Sequence, residues 1–206
     1  MKKLPQKTVE RLSKYRRLLM RYQYLEKPHI FSKDLARLLR INPVHVRRDL
    51  MLMGHSGSHS KGYDVQKLIQ QISASLECEG RKTACIIGFG HTGRAVLEIL
   101  SNDFTPLNVK AIFDSSGKAI GQSFNEVPCY SMGEIANVIE KEKITLAILA
   151  DMDEDAENYI PLFDALGIRG IMNLTPTHLN LPEHIHLEEY DMVSTLIKLA
   201  YFSGNG

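Results

Sequence analysis

The sequence predicts an α/β chain in two parts, an N-terminal winged helix-turn-helix and a C-terminal doubly wound sheet of the Rossmann type. Three observations predict it. Charge is divided: residues 1–63 carry 15 Lys+Arg against 4 Asp+Glu, whereas residues 64–206 carry 10 against 20. A short apolar run, Thr83 to Ile87, turns through Gly88-Phe89-Gly90-His91-Thr92-Gly93 into a helical pattern. Apolar strands and amphipathic helices then alternate over about 110 residues, the pattern of a parallel sheet covered on both faces.

The first part is helical. From Lys7 to Tyr24, Val9, Leu12, Tyr15, Leu19 and Tyr22 or Gln23 mark one face, and Arg11, Lys14, Arg17 and Arg21 line much of the rest. Glu26-Lys27-Pro28-His29 ends that helix. Ser32 is expected to cap a second helix, Lys33 to Leu39. Arg40-Ile41 reads as a turn, and Asn42-Pro43 opens a third helix, with Asn42 as its cap and Pro43 in the first helical position. That helix continues to Met53 and stops at Gly54. Two short helices joined by a tight turn in a basic segment make a helix-turn-helix, whose second helix enters the major groove of DNA. Pro43, Val44, His45 and Arg48 lie near its N-terminal half, and Arg47 and Arg48 are read as base readers or phosphate clamps. Against this stands a plain solvated basic helix. His55 to Tyr63 reads as a hairpin tip, hence a wing, with His59 and Lys61 in reach of a DNA backbone or minor groove. Asp64 to Glu79 is a linking helix striped by Val65, Leu68, Ile69, Ile72 and Leu76.

The glycine turn carries the second part. Strand, glycines and helix in that order leave free N–H groups at the helix N-terminus, where a pyrophosphate binds. Gly88 permits the turn, Gly90 lets a phosphate approach the backbone, and Gly93 lets helix and strand pack. Val109 to Phe113 reads as the next strand and ends at Asp114, whose carboxylate would take an adenine-ribose diol and repel a 2′-phosphate. The ligand expected is therefore NAD rather than NADP; a glycine turn that binds nothing is the plain alternative. Beyond Asp114 the chain reads as loose through Gly117, Gly121 and Pro128. A helix follows from Met132 to Glu142, a strand from Ile144 to Ala150, a helix from Ala156 to Leu166, and a strand from Gly170 to Leu174. His184 and His186 alternate on one short strand face and are read as surface histidines rather than metal ligands. Met192, Val193, Leu196, Ile197, Leu199, Ala200, Tyr201 and Phe202 cover almost the whole circumference of the last helix, which requires burial on several sides. A second subunit is its natural partner.

Composition removes other classes. No run of ~18 apolar residues is present to span a membrane, and the charged N-terminus has no apolar core of a secretion signal. Cys78, Cys85 and Cys129 are odd in number and far apart, which argues against a disulfide framework or metal cluster and for a reducing cytoplasmic compartment.

Taken together, the chain resembles the Rex family of redox-sensing transcriptional repressors. The residues that carry the resemblance are Arg47-Arg48-Asp49, Gly62-Tyr63-Asp64, Gly88 to Gly93, Phe113-Asp114, Gly167 to Pro176, Asn180 to His184, and Asp191. The resemblance implies homodimers that swap the terminal helix, bind pseudo-palindromic double-stranded operators, and release DNA when NADH replaces NAD⁺. It implies DNA contacts from Ser32, Pro43, His45, Arg47, Arg48, His59 and Lys61, and cofactor contacts from Gly88, Phe89, Gly90, His91, Thr92, Gly93, Asp114, Asn173, Thr175 and Pro176. It further implies coupling between Asp191 and Arg17. On this reading residues 1–63 bind DNA, 64–79 link, 80–190 bind the dinucleotide, and 191–206 form the swapped helix. The chain departs from the family at Leu52-Met53, at Ile99, in its wing, and at Asp151-Met152, where the family has Val-Pro. Asp151 and the acids at 153–155 would lie near the cofactor side of the sheet and oppose a pyrophosphate. Two alternatives follow: a DNA-binding member that has lost ligand sensing, or a small NAD-dependent oxidoreductase. The second is opposed by the roughly 30 residues left after the nucleotide domain, mostly one apolar helix, which offer no general acid or base beside a nicotinamide.

Overall fold

The computed structural model describes residues 4–54, 61–76, 82–101, 107–151 and 156–204, in two compact units, Met1–Glu79 and Gly80–Gly206.

The first unit runs α1 (Gln6–Tyr24), β1 (His29–Ile30), α2 (Ser32–Leu39), α3 (Pro43–Leu52), β2 (Tyr63–Asp64) and α4 (Val65–Leu76). Its core gathers Leu12, Tyr15 and Leu19 of α1, Leu35 and Ala36 of α2, Val46 and Leu50 of α3, and Val65, Leu68 and Ile72 of α4. Thus α4, which the sequence suggests as a link, supplies a full apolar face to this core. Two local expectations are corrected. Val9 is exposed and Thr8 is the buried residue of the first turn, where its hydroxyl accepts from Arg11 Nη2 at 3.2 Å. Ser32 does not cap α2: Phe31 holds the cap position in extended backbone, and its carbonyl takes the N–H of Asp34 and Leu35. Among the described residues β2 pairs with β1, from before α2, through His29↔Asp64 and Ile30↔Tyr63. The expected wing tip, with His59, lies outside the described residues.

The second unit comprises β3 (Lys82–Ile87), α5 (His91–Leu100), β4 (Leu107–Asp114), β5 (Ser123–Phe124), β6 (Val127–Ser131), α6 (Ile135–Glu142), β7 (Leu146–Leu149), α7 (Ile160–Ala165), β8 (Gly170–Asn173), β9 (His186–Glu189) and α8 (Met192–Ser203). Its sheet has the order β5-β6-β4-β3-β7-β8-β9. Every pairing is parallel except β5 with β6. Successive residues of β3 feed opposite faces, as a pleated strand must. Cys85 and Ile87 join the core that contains Ile139 and Phe163 from α6 and α7, while Ile86 joins the core that contains Leu97 of α5. Burial pushes the Cys85 thiol up to about 12, so it stays protonated and unreactive.

The stretch after Asp114 is loose through Gly117 and Gly121, as expected, but not at Pro128. It folds back as an edge hairpin, β5–β6, whose two turn residues Asn125 and Glu126 both have positive φ, 47° and 67°. A glutamate in that position carries no turn signal in sequence. His184 falls outside β9, so it does not share a strand face with His186. Each pairs with an acid instead, His184 with Asp164 at 2.7 Å and His186 with Glu188 at 2.8 Å. The last helix, α8, has no buried residue, and its large apolar side chains are between 59% and 73% exposed.

Candidate nucleic-acid interface and dinucleotide site

In the first unit, α2 ends where Arg40 adopts left-handed backbone, φ 53°. The N–H of Ile41 then returns to the Ala36 carbonyl at 2.9 Å, closing the tight turn. Asn42 caps α3 by accepting from the N–H of Val44 at 2.9 Å, with Pro43 next to it. Val46, Asp49 and Leu50 form the buried stripe of α3. The opposite side presents Pro43, Val44, His45, Arg47 and Arg48 to solvent. Val44, Arg47, Arg48, Met51 and Leu52 line a shallow groove there. Ser32 is half-buried at the start of α2, and Lys61 is exposed.

What fixes the roll of α3 is a residue to which sequence reasoning gives no role of its own. Asp49 is 1% exposed. Its Oδ2 accepts from Arg11 Nε at 2.6 Å and from the Tyr15 hydroxyl at 2.9 Å, and its Oδ1 accepts from Arg11 Nη2 at 2.7 Å. A forked guanidinium on a carboxylate is a geometrically exacting pair. The bond to Asp49 raises the Arg11 pKa despite partial burial, and burial followed by the Asp49 bond raises that of Tyr15. Arg11 therefore belongs to an interior clamp and not to the solvated basic face. The available signal was an acid at the i+3 step from buried Val46 in an otherwise basic helix. Arg16 donates to Ser73 Oγ at 2.8 Å, whereas Arg17 is exposed.

In the second unit the strand order turns between β3 and β7. The crevice at the carboxyl ends of those strands is where open α/β sheets bind ligands. Gly88 leaves β3 with φ 88°, and a Cβ there would lie 2.2 Å from the Asp151 carbonyl oxygen. A Cβ on Gly93 would lie 2.2 Å from the Gly88 carbonyl oxygen, so strand and helix do meet at this glycine. Helix α5 starts at His91 with Gly90 as its cap, and no side chain of that cap occupies the N–H groups. They are instead met from across the crevice: Asp151, just after β7, accepts from Gly93 N at 2.6 Å and from Thr92 N at 3.3 Å. This cradle holds an anion, as a pyrophosphate site must. Met152 and residues 153–155 lie outside the described residues.

Phe89 is buried, and the Arg94 guanidinium stacks over the Phe89 and Phe124 rings at 4.5 and 4.8 Å. Asp114 ends β4 buried and already engaged, accepting from Ser116 N (3.1 Å), Ser116 Oγ (2.9 Å) and Ala119 N (3.1 Å). Burial pushes its pKa up. The Ser116 hydroxyl, the two N–H groups and the Arg94 charge outweigh that and hold it below the ordinary 3.8. The stability this adds is present above pH 3.8 and is lost as pH falls below it. Asn173 is buried at the end of β8, donating to the Thr177 carbonyl at 2.7 Å and accepting from Thr175 N and Oγ1 at 3.0 and 2.7 Å. It organises the Thr175-Pro176 turn. Ile99 is exposed on α5. Asp191 caps α8 through Ser194 N at 3.0 Å. The Ser194 hydroxyl, then its N–H, hold the exposed Asp191 carboxyl below the usual range.

Comparison with known proteins agrees with this division. Residues 3–50 match a family model described as a putative DNA-binding protein N-terminus, and residues 80–177 one described as a CoA binding domain. The redox-sensing transcriptional repressor Rex of Streptococcus thermophilus is 32% identical over 98% of this chain and 93% of its own length. That of Bacillus subtilis is 30% identical over 97% and 92%. A crystal structure of RSP, a Rex-family repressor, shares the fold with a TM-score of 0.84 at 24% identity, covering 98% of this chain and 95% of that one. RSP in complex with β-NAD⁺ and operator DNA has a TM-score of 0.85 at 24% identity, covering 98% and 93%. With that identity along nearly its full length, the chain belongs to the Rex family of redox-sensing transcriptional repressors.

Proposed function

We propose that the chain is a repressor that binds pseudo-palindromic operator DNA as a homodimer and releases it when NADH replaces NAD⁺, and that it works as a regulator without catalysis in the cytoplasm. The observation that carries this reading is one chain holding both an outward basic recognition helix, with Arg47 and Arg48 exposed on α3, and an anion cradle at the switch point of a doubly wound sheet. Phosphate contacts position such a protein on DNA and base contacts give it sequence preference. In this role Arg47, Arg48 and His45 face the groove, with Ser32, Pro43, His59 and Lys61 around them. Among the described residues no helix is long and apolar enough to cross a membrane, and Rex relatives are named as transcriptional repressors.

NAD(H) would be held by the Thr92 and Gly93 N–H groups at its phosphates, by Asp114 at its adenine ribose, and by the Asn173-Thr175-Pro176 turn further along the crevice. When bound, the cofactor supplies redox information. The cradle fits an anion, since a Cβ on Gly90 would sit 2.8 Å from a carboxylate carbon. Titration of the full chain with NADH and NADPH tests the role of Asp114. NADPH is expected to bind at least about fivefold more weakly, since two like charges about 4 Å apart cost on the order of 1–4 kcal/mol. Equal binding removes Asp114 from cofactor selection.

Coupling is assigned to the swapped α8. Asp191 at its start would meet Arg17 of the partner subunit, and a rearrangement of rigid units would make or break that pair. Asp191→Ala is then expected to leave NADH binding nearly intact while altering how far NADH lowers operator affinity, a coupling on the scale of roughly 1–3 kcal/mol. If operator affinities with and without NADH match wild type, Asp191 serves α8 as a cap and no more.

A further inference from the structure

The anion cradle holds one of the chain's own side chains. The Asp151 carboxylate accepts from Gly93 N at 2.6 Å and Thr92 N at 3.3 Å, the donors to which a phosphate would be bound. The space around the glycines agrees. The gap left by the missing Cβ of Gly90 is closed by Asp151 Cγ, 2.8 Å from where that Cβ would be, and Asp151 Oδ2 lies 3.3 Å from a Cβ built on Gly93. The carboxylate thus fills both the donors and the volume that the glycines keep open. It arrives from the end of β7, the opposite wall of the crevice, and not from the glycine loop itself.

We propose that Asp151 is a built-in competitor for this site: its carboxylate occupies the phosphate cradle of the ligand-free chain and raises the dinucleotide concentration at which the repressor responds. The inference rests on the reading that the pyrophosphate of NAD(H) binds at Gly88 to Gly93. A helix N-terminus favours one compact anion. A pyrophosphate brought to the same N–H groups must displace the carboxylate, which can swing out by rotation about its Cα–Cβ bond, and then remain next to it. Both the lost hydrogen bonds and the like charge weaken the ligand. The adenosine portion meets neither obstacle, because Asp114 lies at the end of β4, on the far side of β3 from β7.

The test is calorimetric titration of the full-length protein and its Asp151→Ala, Asp151→Asn and Asp151→Ser variants with NADH, ADP and adenosine. Thermal melting of each variant checks its folding. Asn and Ser keep an oxygen for the helix cap, so they report on the charge even where Ala loosens α5. The expected result is that Asp151→Ala binds NADH and ADP at least about tenfold more tightly than wild type, the scale of removing a charge-assisted contact. Asn and Ser should fall between, with adenosine unchanged throughout. Equal NADH affinity in wild type and all folded variants makes Asp151 a helix cap and overturns the proposal while leaving the cofactor reading intact. An equal gain for adenosine overturns it too, since the effect would then not be competition at the phosphates. Failure of every variant to bind NADH or ADP overturns the cofactor reading, and this inference with it.

Discussion

Replacing Asp49 by alanine is expected to destabilise the N-terminal unit by about 2–4 kcal/mol and to abolish operator binding with it. Removing one partner of a fully buried pair costs roughly 3–5 kcal/mol, because the other charge is left without compensation. The Arg11 side chain keeps 22% exposure, which lets water recover part of that. The Tyr15 hydroxyl, wholly inside, loses its acceptor as well. A domain is held by only about 5–15 kcal/mol, so the loss is large. The consequence for function follows from geometry. Asp49 shares α3 with Arg47 and Arg48, and its fork to α1 sets how far α3 is rolled toward DNA. Tyr15→Phe, which removes one bond and keeps the ion pair, should cost about 1–2 kcal/mol and preserve operator binding. Urea unfolding and operator titration measure both. An unchanged unfolding midpoint in Asp49→Ala would mean that the clamp does not hold the unit together.

The second large effect belongs to Arg48. Arg48→Ala should leave the fold intact, since the side chain is exposed, yet cost about 2–6 kcal/mol of operator affinity. That is a loss of roughly 1–3 kcal/mol for each bidentate base contact, taken twice in a two-fold complex. Arg47→Ala offers the contrast. If Arg47 grips a phosphate, its removal lowers affinity evenly across sequences and reduces the salt slope by about one per site. Titrating specific and scrambled duplexes at several salt concentrations separates the two. If Arg48→Ala binds the operator like wild type, base readout lies elsewhere on α3.

The parts of the molecule legible in the sequence are those whose cause is local. Asn42-Pro43 announces the start of α3 because cap and first-turn chemistry act within three residues. Gly88, Gly90 and Gly93 mark the turn because only a residue without Cβ fits there. The apolar period of α4 and the alternating faces of β3 are likewise written in adjacent residues. What stays hidden depends on partners far along the chain. Arg11 looks like any other basic residue of α1 until Asp49, thirty-eight positions on, closes on it. Ser32 looks like a cap because serine is a good one, but the chain enters α2 one residue earlier. Asp151 is visible as an acid on the cofactor side, yet only the fold brings its oxygens to the Gly93 and Thr92 N–H groups, fifty-eight and fifty-nine positions back.

Helix α8 ends the chain without one buried residue. An apolar surface of that kind is what proteases and chaperones recognise in damaged proteins. In the proposed dimer a subunit that has found its twin would hide the signal, and an orphan subunit would display it. The lifetime of the protein in the cell would then depend on its own abundance. Surplus or mispaired chains would be cleared first, and the pool of repressor would consist of assembled molecules. If α8 ties two copies together, as proposed, it would also act as an inspection tag, readable by pulse-chase turnover of a chain whose α8 apolar residues are made polar in half of the copies.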